Sequence, residues 1–285
     1  MTASSPRGGS RPAPTPSVQT RLHLYLKELM LPTIRECYPE VARQATQETL
    51  SYEHFLLELL RRESEVRGQH RVQRRLHESR LPLEKNLAAF DLARLTAKVK
   101  QQFAALRDGR FLERRENVLA FGNPGSGKTH LLCALCQELV QQDRRVLYST
   151  CSLLVQELLL AKRDLRLAAT LKRLGKYEAL LIDDLGYVQQ SREEMEVLFT
   201  LLADRYERGS VLITSNLPFS RWEAIFKDPL TTAAAIDRLV HHSVILELNL
   251  PSYRMAAAKQ GPGGAGAAPA SPQPEPVTLQ DGEER

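Results

Sequence analysis

Two hydrophobic patterns divide the chain. Leu22, Leu26, Leu29 and Met30 recur at helical spacing near the start, which predicts a helix with one apolar stripe. Pro32 and Pro39 should interrupt that pattern, because a proline ring removes an amide donor and crowds the preceding turn. Ser51 stands ahead of His54, Phe55, Leu56, Leu59 and Leu60 and reads as the cap of a further helix, with Pro82 closing the helical region. Residues 83–116 connect the two parts, with a helix predicted over 92–106. Beyond them short apolar runs alternate with helical stretches. The runs are 118–121, 146–149, 179–182, 211–214 and 244–248. Five such runs predict an α/β fold with a five-stranded parallel sheet flanked by helices. A small N-terminal all-α domain (20–82) precedes the sheet domain (117–255). Ligands of such sheets gather at the carboxyl ends of the strands.

Composition adds little to this division. Of 285 residues, 42% are hydrophobic and 26% charged, with a net charge of +5, which permits a polyanionic partner without demanding one. Residues 1–19 and 256–285 are rich in Pro, Gly, Ala and Ser or in charge; they bury too little apolar surface to offset the entropy of ordering, and both are expected to be disordered. There is no apolar N-terminal run of secretory type and no membrane-length apolar stretch, so a cytoplasmic protein is expected. Cys133 and Cys136 form a CxxC, but no second Cys/His pair follows at metal-finger spacing. With Leu and Ala around them they read as buried thiols.

Chemistry concentrates at the predicted strand ends. Gly122, Asn123, Pro124, Gly125, Ser126, Gly127, Lys128 and Thr129 match G-x-x-x-x-G-K-[ST], the loop whose amides cradle phosphates. Lys128 reaches the β and γ phosphates of ATP, and Thr129 offers its hydroxyl to Mg2+. His130 opens the helix predicted over 130–140, whose N-terminal dipole favours the anion. The run at 179–182 ends in Asp183 and Asp184, which behind such a loop reads as Mg2+ ligand and water-orienting carboxylate respectively. The run at 211–214 ends in Thr214, Ser215 and Asn216; Asn216 is the choice for touching the γ-phosphate or the attacking water, since its amide both donates and accepts. Arg238 follows an alanine-rich helix. Its guanidinium suits a transition-state phosphoryl group, in cis or from a neighbouring subunit, although a plain helix-end arginine is the blander reading. The 61–80 segment carries seven arginines against three glutamates. It reads equally as a phosphate-backbone surface or a solvated face. His241 and His242, without a second ligand pair, read as structural.

The order of P-loop, IDDLGY, LITSN and DRL resembles the AAA+ branch of P-loop ATPases. The stretches 117–131, 179–187, 192–222 and 234–248 resemble the IstB-like proteins, ATP-dependent helpers of insertion-sequence transposases, related to DnaC-type helicase loaders. The N-terminal helices and Phe90-Asp91 share the likeness. The resemblance implies Asn216 as sensor 1, Arg238 as a finger acting across a subunit boundary, and Arg254 as a sensor 2 candidate. It also implies an ATP-driven homo-oligomer on double-stranded DNA that assists a transposase, the alternatives being a replicative helicase loader or an ATP-gated adaptor. One departure is Asp184, where the transposition helpers usually carry Glu; the shorter carboxylate implies slow hydrolysis.

Overall fold

A computed structural model describes residues 17–186, 191–226 and 229–252. It divides the chain into two units, Met1–Arg80 with Val140–Arg145, and Leu81–Leu139 with Val146–Arg285. Among the described residues no helix is long and apolar enough to cross a membrane.

The first unit holds helices α1 (Val18–Glu28), α2 (Pro32–Gln47) and α3 (Tyr52–Glu78). Helix α1 begins two residues inside the stretch expected to be disordered, because the Ser17 side chain accepts from Thr20 N and caps it. Pro32 does not break the pattern but starts α2, where its missing N–H is no loss. Pro39 lies inside α2 and does not end it. The packing of α2 against α3 through Ile34, Val41 and Leu59 outweighs one missing helical hydrogen bond. The start of α2 has no side-chain cap of its own. Buried Glu63 of α3 supplies one, accepting from Ile34 N at 3.0 Å while Arg67 Nε holds its other oxygen at 2.7 Å. Ser51 caps α3 through His54 N as the sequence predicts. Of the seven arginines in 61–80, six face carboxylates: Arg61 and Arg62 pair with Glu58, Arg67 with Glu63, Arg74 with Glu78, and Arg71 and Arg75 with Asp143. Much of the segment's charge is thus balanced locally.

In the second unit, the helix predicted over 92–106 is split into a 3-10 turn, Leu92–Arg94, and α4 (Ala97–Leu106), because Thr96 takes an extended backbone and caps α4. The region expected to be a connector belongs to this unit outright. After α5 (Arg110–Glu113) come β1 (Asn117–Phe121), α6 (Lys128–Gln141), β2 (Val146–Thr150), α7 (Cys151–Arg163), α8 (Leu167–Leu174), β3 (Ala179–Leu185), α9 (Arg192–Arg205), β4 (Ser210–Ser215), α10 (Glu223–Phe226), α11 (Pro229–Val240) and β5 (Ser243–Glu247). All five predicted runs are strands. They form one parallel sheet in the order β2-β3-β4-β1-β5.

Alternate strand residues Leu119, Leu180, Ile182, Val211 and Ile213 join a core with α7, α9, α11 and Trp222. Their neighbours Val118, Ala120, Leu181 and Leu212 are just as buried. Burial on both faces is why the strands read as unbroken apolar runs. Buried Asn117 ties the amino edge, donating to Leu239 O and accepting from Val211 N.

Candidate active site

The sheet places its chemistry on the carboxyl edge, where β1, β3 and β4 end. The loop after β1 turns straight into α6, and two of its glycines are needed for close approach as well as for φ. A Cβ on Gly122 (φ 151°) would lie 2.2 Å from Leu248 O, and one on Gly127 (φ 95°) would lie 3.0 Å from the Phe90 ring. Only glycine lets backbone amides sit this close to both walls. Lys128 is buried, and its Nζ donates to Gly122 O at 2.9 Å and Asn123 O at 3.0 Å. The ammonium is thereby held over the loop.

Strand β3 ends in a β-bulge. Ile182 pairs with Ile213, but Leu185 pairs with Ser215, so β3 spends three steps where β4 spends two. Asp184 absorbs the extra residue with φ 60°, a left-handed conformation rare for a residue with a side chain. Consequently the adjacent carboxylates have separate environments: Asp183 is buried and Asp184 exposed. Thr129 Oγ1 donates to Asp183 Oδ1 at 2.8 Å, Thr214 Oγ1 donates to the same oxygen at 2.5 Å, and Tyr148 Oη donates to Oδ2 at 3.1 Å. Thr214 Oγ1 also accepts from Asp184 N at 2.9 Å, so one hydroxyl braces both acids. Burial, reinforced by the Asp183 charge, pushes the Tyr148 phenol well above its ordinary pKa, which keeps it a donor.

A cavity of about 480 Å³ opens over this edge. Pro124, Gly125, Ser126, Gly127, Lys128, Thr129, His130, Asp184 and Asn216 line it. Asn216 is exposed there, whereas Ser215 is buried and donates to Leu185 O across the bulge. The donor set fits the ligands read from the sequence. A loop with no room for a Cβ suits phosphate oxygens, and a hydroxyl beside a carboxylate supplies the hard oxygens that Mg2+ prefers.

Phe90 and Asp91, which carry part of the family likeness, also line it, together with Lys85, Ala89, Arg94 and Leu250, to which the sequence assigns no role. The Phe90 ring meets His130 edge-on at 5.2 Å, and His130 Nε2 shares a hydrogen bond with Asn86 O at 2.8 Å. The 83–94 segment is therefore a wall of the site. In the sequence Phe90-Asp91 stands out only through the family likeness, and no local pattern marks the segment as a wall. Tyr148, a hydroxyl inside an apolar strand, likewise belongs to no local motif.

Arg238 is elsewhere. It lies in the last turn of α11, not after it, beside a second cavity lined also by Asn117, Val211 and His242. Those residues mark the amino edge of the sheet, and a five-residue strand separates the edges by roughly 16 Å. The arrangement disfavours the in-cis role. Its guanidinium stacks 4.7 Å above the Phe199 ring, and its buried Nη1 makes no hydrogen bond among the described residues. Arg254 and Tyr187 lie outside the described residues. Cys133 and Cys136 are buried. Burial first, and then the Asp183 charge, pushes the Cys133 thiol up to about 12, and burial raises Cys136 as well. Both are neutral core thiols.

A family profile described as IstB-like ATP binding protein matches residues 24–261. The chain belongs to this family. Among its relatives, an insertion-sequence ATP-binding protein of Sinorhizobium fredii is 40% identical over 85% of this chain and 82% of its own length. The ATP-binding protein of insertion sequence IS21 from Pseudomonas aeruginosa is 36% identical over 82% of this chain and 88% of its own. The fold is that of AAA+ proteins: the DnaC helicase loader superposes with a TM-score of 0.50 at 16% identity, covering 57% of this chain and 96% of the loader. In this IstB-like chain the bulge and the 83–94 wall shape the carboxyl-edge cavity.

Proposed function

We propose that this protein is a DNA-dependent AAA+ ATPase that binds ATP with Mg2+ in the carboxyl-edge cavity, assembles as a homo-oligomer on double-stranded DNA, and assists a transposase. The observation that carries the ATPase reading is the convergence on one cavity of the P-loop, the bulged Asp184 and Asn216, beside the buried Asp183. The transposition setting rests on relatives whose names tie them to insertion sequences.

In this reading the loop amides and Lys128 hold the phosphates. Thr129 and Asp183 hold Mg2+, which neutralises phosphate charge when bound. Asp184 lies open to the cavity and orients a water for in-line attack, accepting its proton; Asn216 positions the γ-phosphate from the other side. Arg238, on the far edge from its own nucleotide, serves the site of an adjacent copy. Arg254 is kept as the sensor 2 residue on the resemblance alone.

The test is ATP hydrolysis with and without double-stranded DNA for wild type, Lys128→Ala and Arg238→Ala. DNA-stimulated turnover lost in each variant and regained on mixing them is the expected result, because mixing creates some sites with an intact loop and an intact finger. ATP binding without turnover, with nucleotide alone sufficient for DNA retention, would replace the motor with an ATP-gated adaptor. Stimulation of a replicative helicase but not of a transposase would move the protein to the loaders.

A further inference from the structure

The histidine pair that reads as structural in the sequence has a partner that only the fold supplies. His241 and His242 form the turn between α11 and β5, and Glu207 lies in the turn between α9 and β4. All three are exposed, and one ligand atom from each lies within 4.8 Å of the others. The two imidazoles face each other edge-on with centroids 4.1 Å apart. Tyr206 Oη shares a hydrogen bond with His241 Nδ1 at 3.2 Å, the kind of outer contact that fixes ring orientation in metal centres. Glu207 has φ 57°, Arg115 donates to its backbone carbonyl, and its carboxylate is hydrogen-bonded by the Tyr206 hydroxyl.

We propose that Glu207, His241 and His242 form a binding site for a divalent transition metal of the zinc class, with the remaining coordination position left to water. Two imidazoles and one carboxylate are a borderline donor set that suits Zn2+ or Co2+ and is poorly matched to Mg2+ or Ca2+, which prefer all-oxygen shells. A tetrahedral ion with bonds of about 2.0–2.2 Å requires the three donors to close in slightly. Exposed side chains do so by small rotations. Nearby guanidinium groups of Arg114, Arg115 and Arg238 oppose the cation and favour a site of moderate affinity. A bound ion would tie the turn after α9 to the turn after α11, in whose last turn Arg238 sits.

The experiment uses the full-length chain without a histidine tag, titrated with Co2+ and followed by visible d–d absorption, then with Zn2+ competing for the same sites. Wild type should bind one ion per chain. His241→Ala, His242→Ala and Glu207→Gln should each weaken binding by at least the roughly 10-fold that loss of even an outer-shell contact costs. Cys133→Ser should bind as wild type does. Fluorescence of buried Trp222 reports that each variant is folded. Unchanged titration in the histidine variants overturns the proposal. So does a thiolate-to-cobalt charge-transfer band that disappears in Cys133→Ser, which would place the ion at the CxxC, and so does the absence of any saturable binding.

Discussion

Arg205 should be the most consequential single side chain for the stability of the sheet domain. It is the last residue of α9 and is 3% exposed. Its Nη1 donates to Leu174 O at 3.2 Å and Tyr177 O at 2.8 Å, and its Nη2 donates to Glu178 O at 3.0 Å and Ser210 O at 2.9 Å. One guanidinium thus satisfies four carbonyls from the end of α8, the approach to β3 and the first residue of β4. Burial lowers its pKa to about 10, with Asp204 acting the other way, so it remains charged at neutral pH. Hydrogen bonds from a charged donor each contribute about 1.5–3 kcal/mol. They do not add fully, since removing the side chain also relieves the desolvation of a buried cation. For Arg205→Met, which keeps the aliphatic stem, the net loss should be about 3–5 kcal/mol. That corresponds to a fall in Tm of about 10 °C for a domain of this size. Arg205→Lys should recover little, because an ammonium cannot fork across four acceptors. Urea unfolding followed by Trp222 is the assay: it is the only tryptophan in the chain and is fully buried in the same core. The comparison is Arg208→Ala, an exposed neighbour paired with Asp204, which should change stability by no more than about 0.5 kcal/mol. If Arg205→Met matches Arg208→Ala, the four-carbonyl hub is not holding the domain together.

Three further outcomes follow from the same geometry. Thr214→Val keeps the shape but removes the hydroxyl that braces Asp183 and Asp184; turnover should fall roughly 10–100-fold with ATP affinity nearly unchanged, and Thr214→Ser should restore it. A parallel loss of affinity would mean that the threonine only supports the fold. Phe90→Ala removes the aromatic wall over Gly127 and His130 and should weaken a fluorescent ATP analogue about 10-fold, or about 1.4 kcal/mol; an unchanged Kd would exclude this wall from the site. Burial acts to raise the Glu63 pKa, but the Ile34 amide and Arg67 outweigh it and hold the carboxyl below its usual value. A depressed folded pKa gives stability that is present above the ordinary carboxylate range and lost as pH falls through the folded value. The stability difference between wild type and Glu63→Gln should therefore shrink on acidification, read by far-UV circular dichroism of the helices; a difference independent of pH would refute it.

The five strands and the P-loop are legible in the sequence because both are local. A strand buried on two faces must be apolar at every position, and a phosphate cradle must be glycine-rich over a few consecutive residues. The local signals that failed are also physical. Pro39 reads as a breaker, yet α2 continues through it because packing with α3 exceeds one lost hydrogen bond. The 92–106 periodicity hides the extended residue at Thr96 that starts α4 afresh. No pattern within 83–94 announces a cavity wall, since its role depends on where β1 and α6 happen to lie.

The sequence by itself determined the fold class, the phosphate loop, the adjacent acids of β3 and the family, each written in contiguous residues whose spacing is set by the backbone repeat. Only the tertiary structure decided that Asp183 and Asp184 occupy opposite environments, because the bulge depends on how β3 registers against β4. It likewise decided that Arg238 sits across the sheet from its own cavity, that a glutamate of α3 caps α2, and that Glu207 approaches His241 and His242. These relations join residues distant in the chain, and their energies arise only when the packed sheet brings them within a few ångströms.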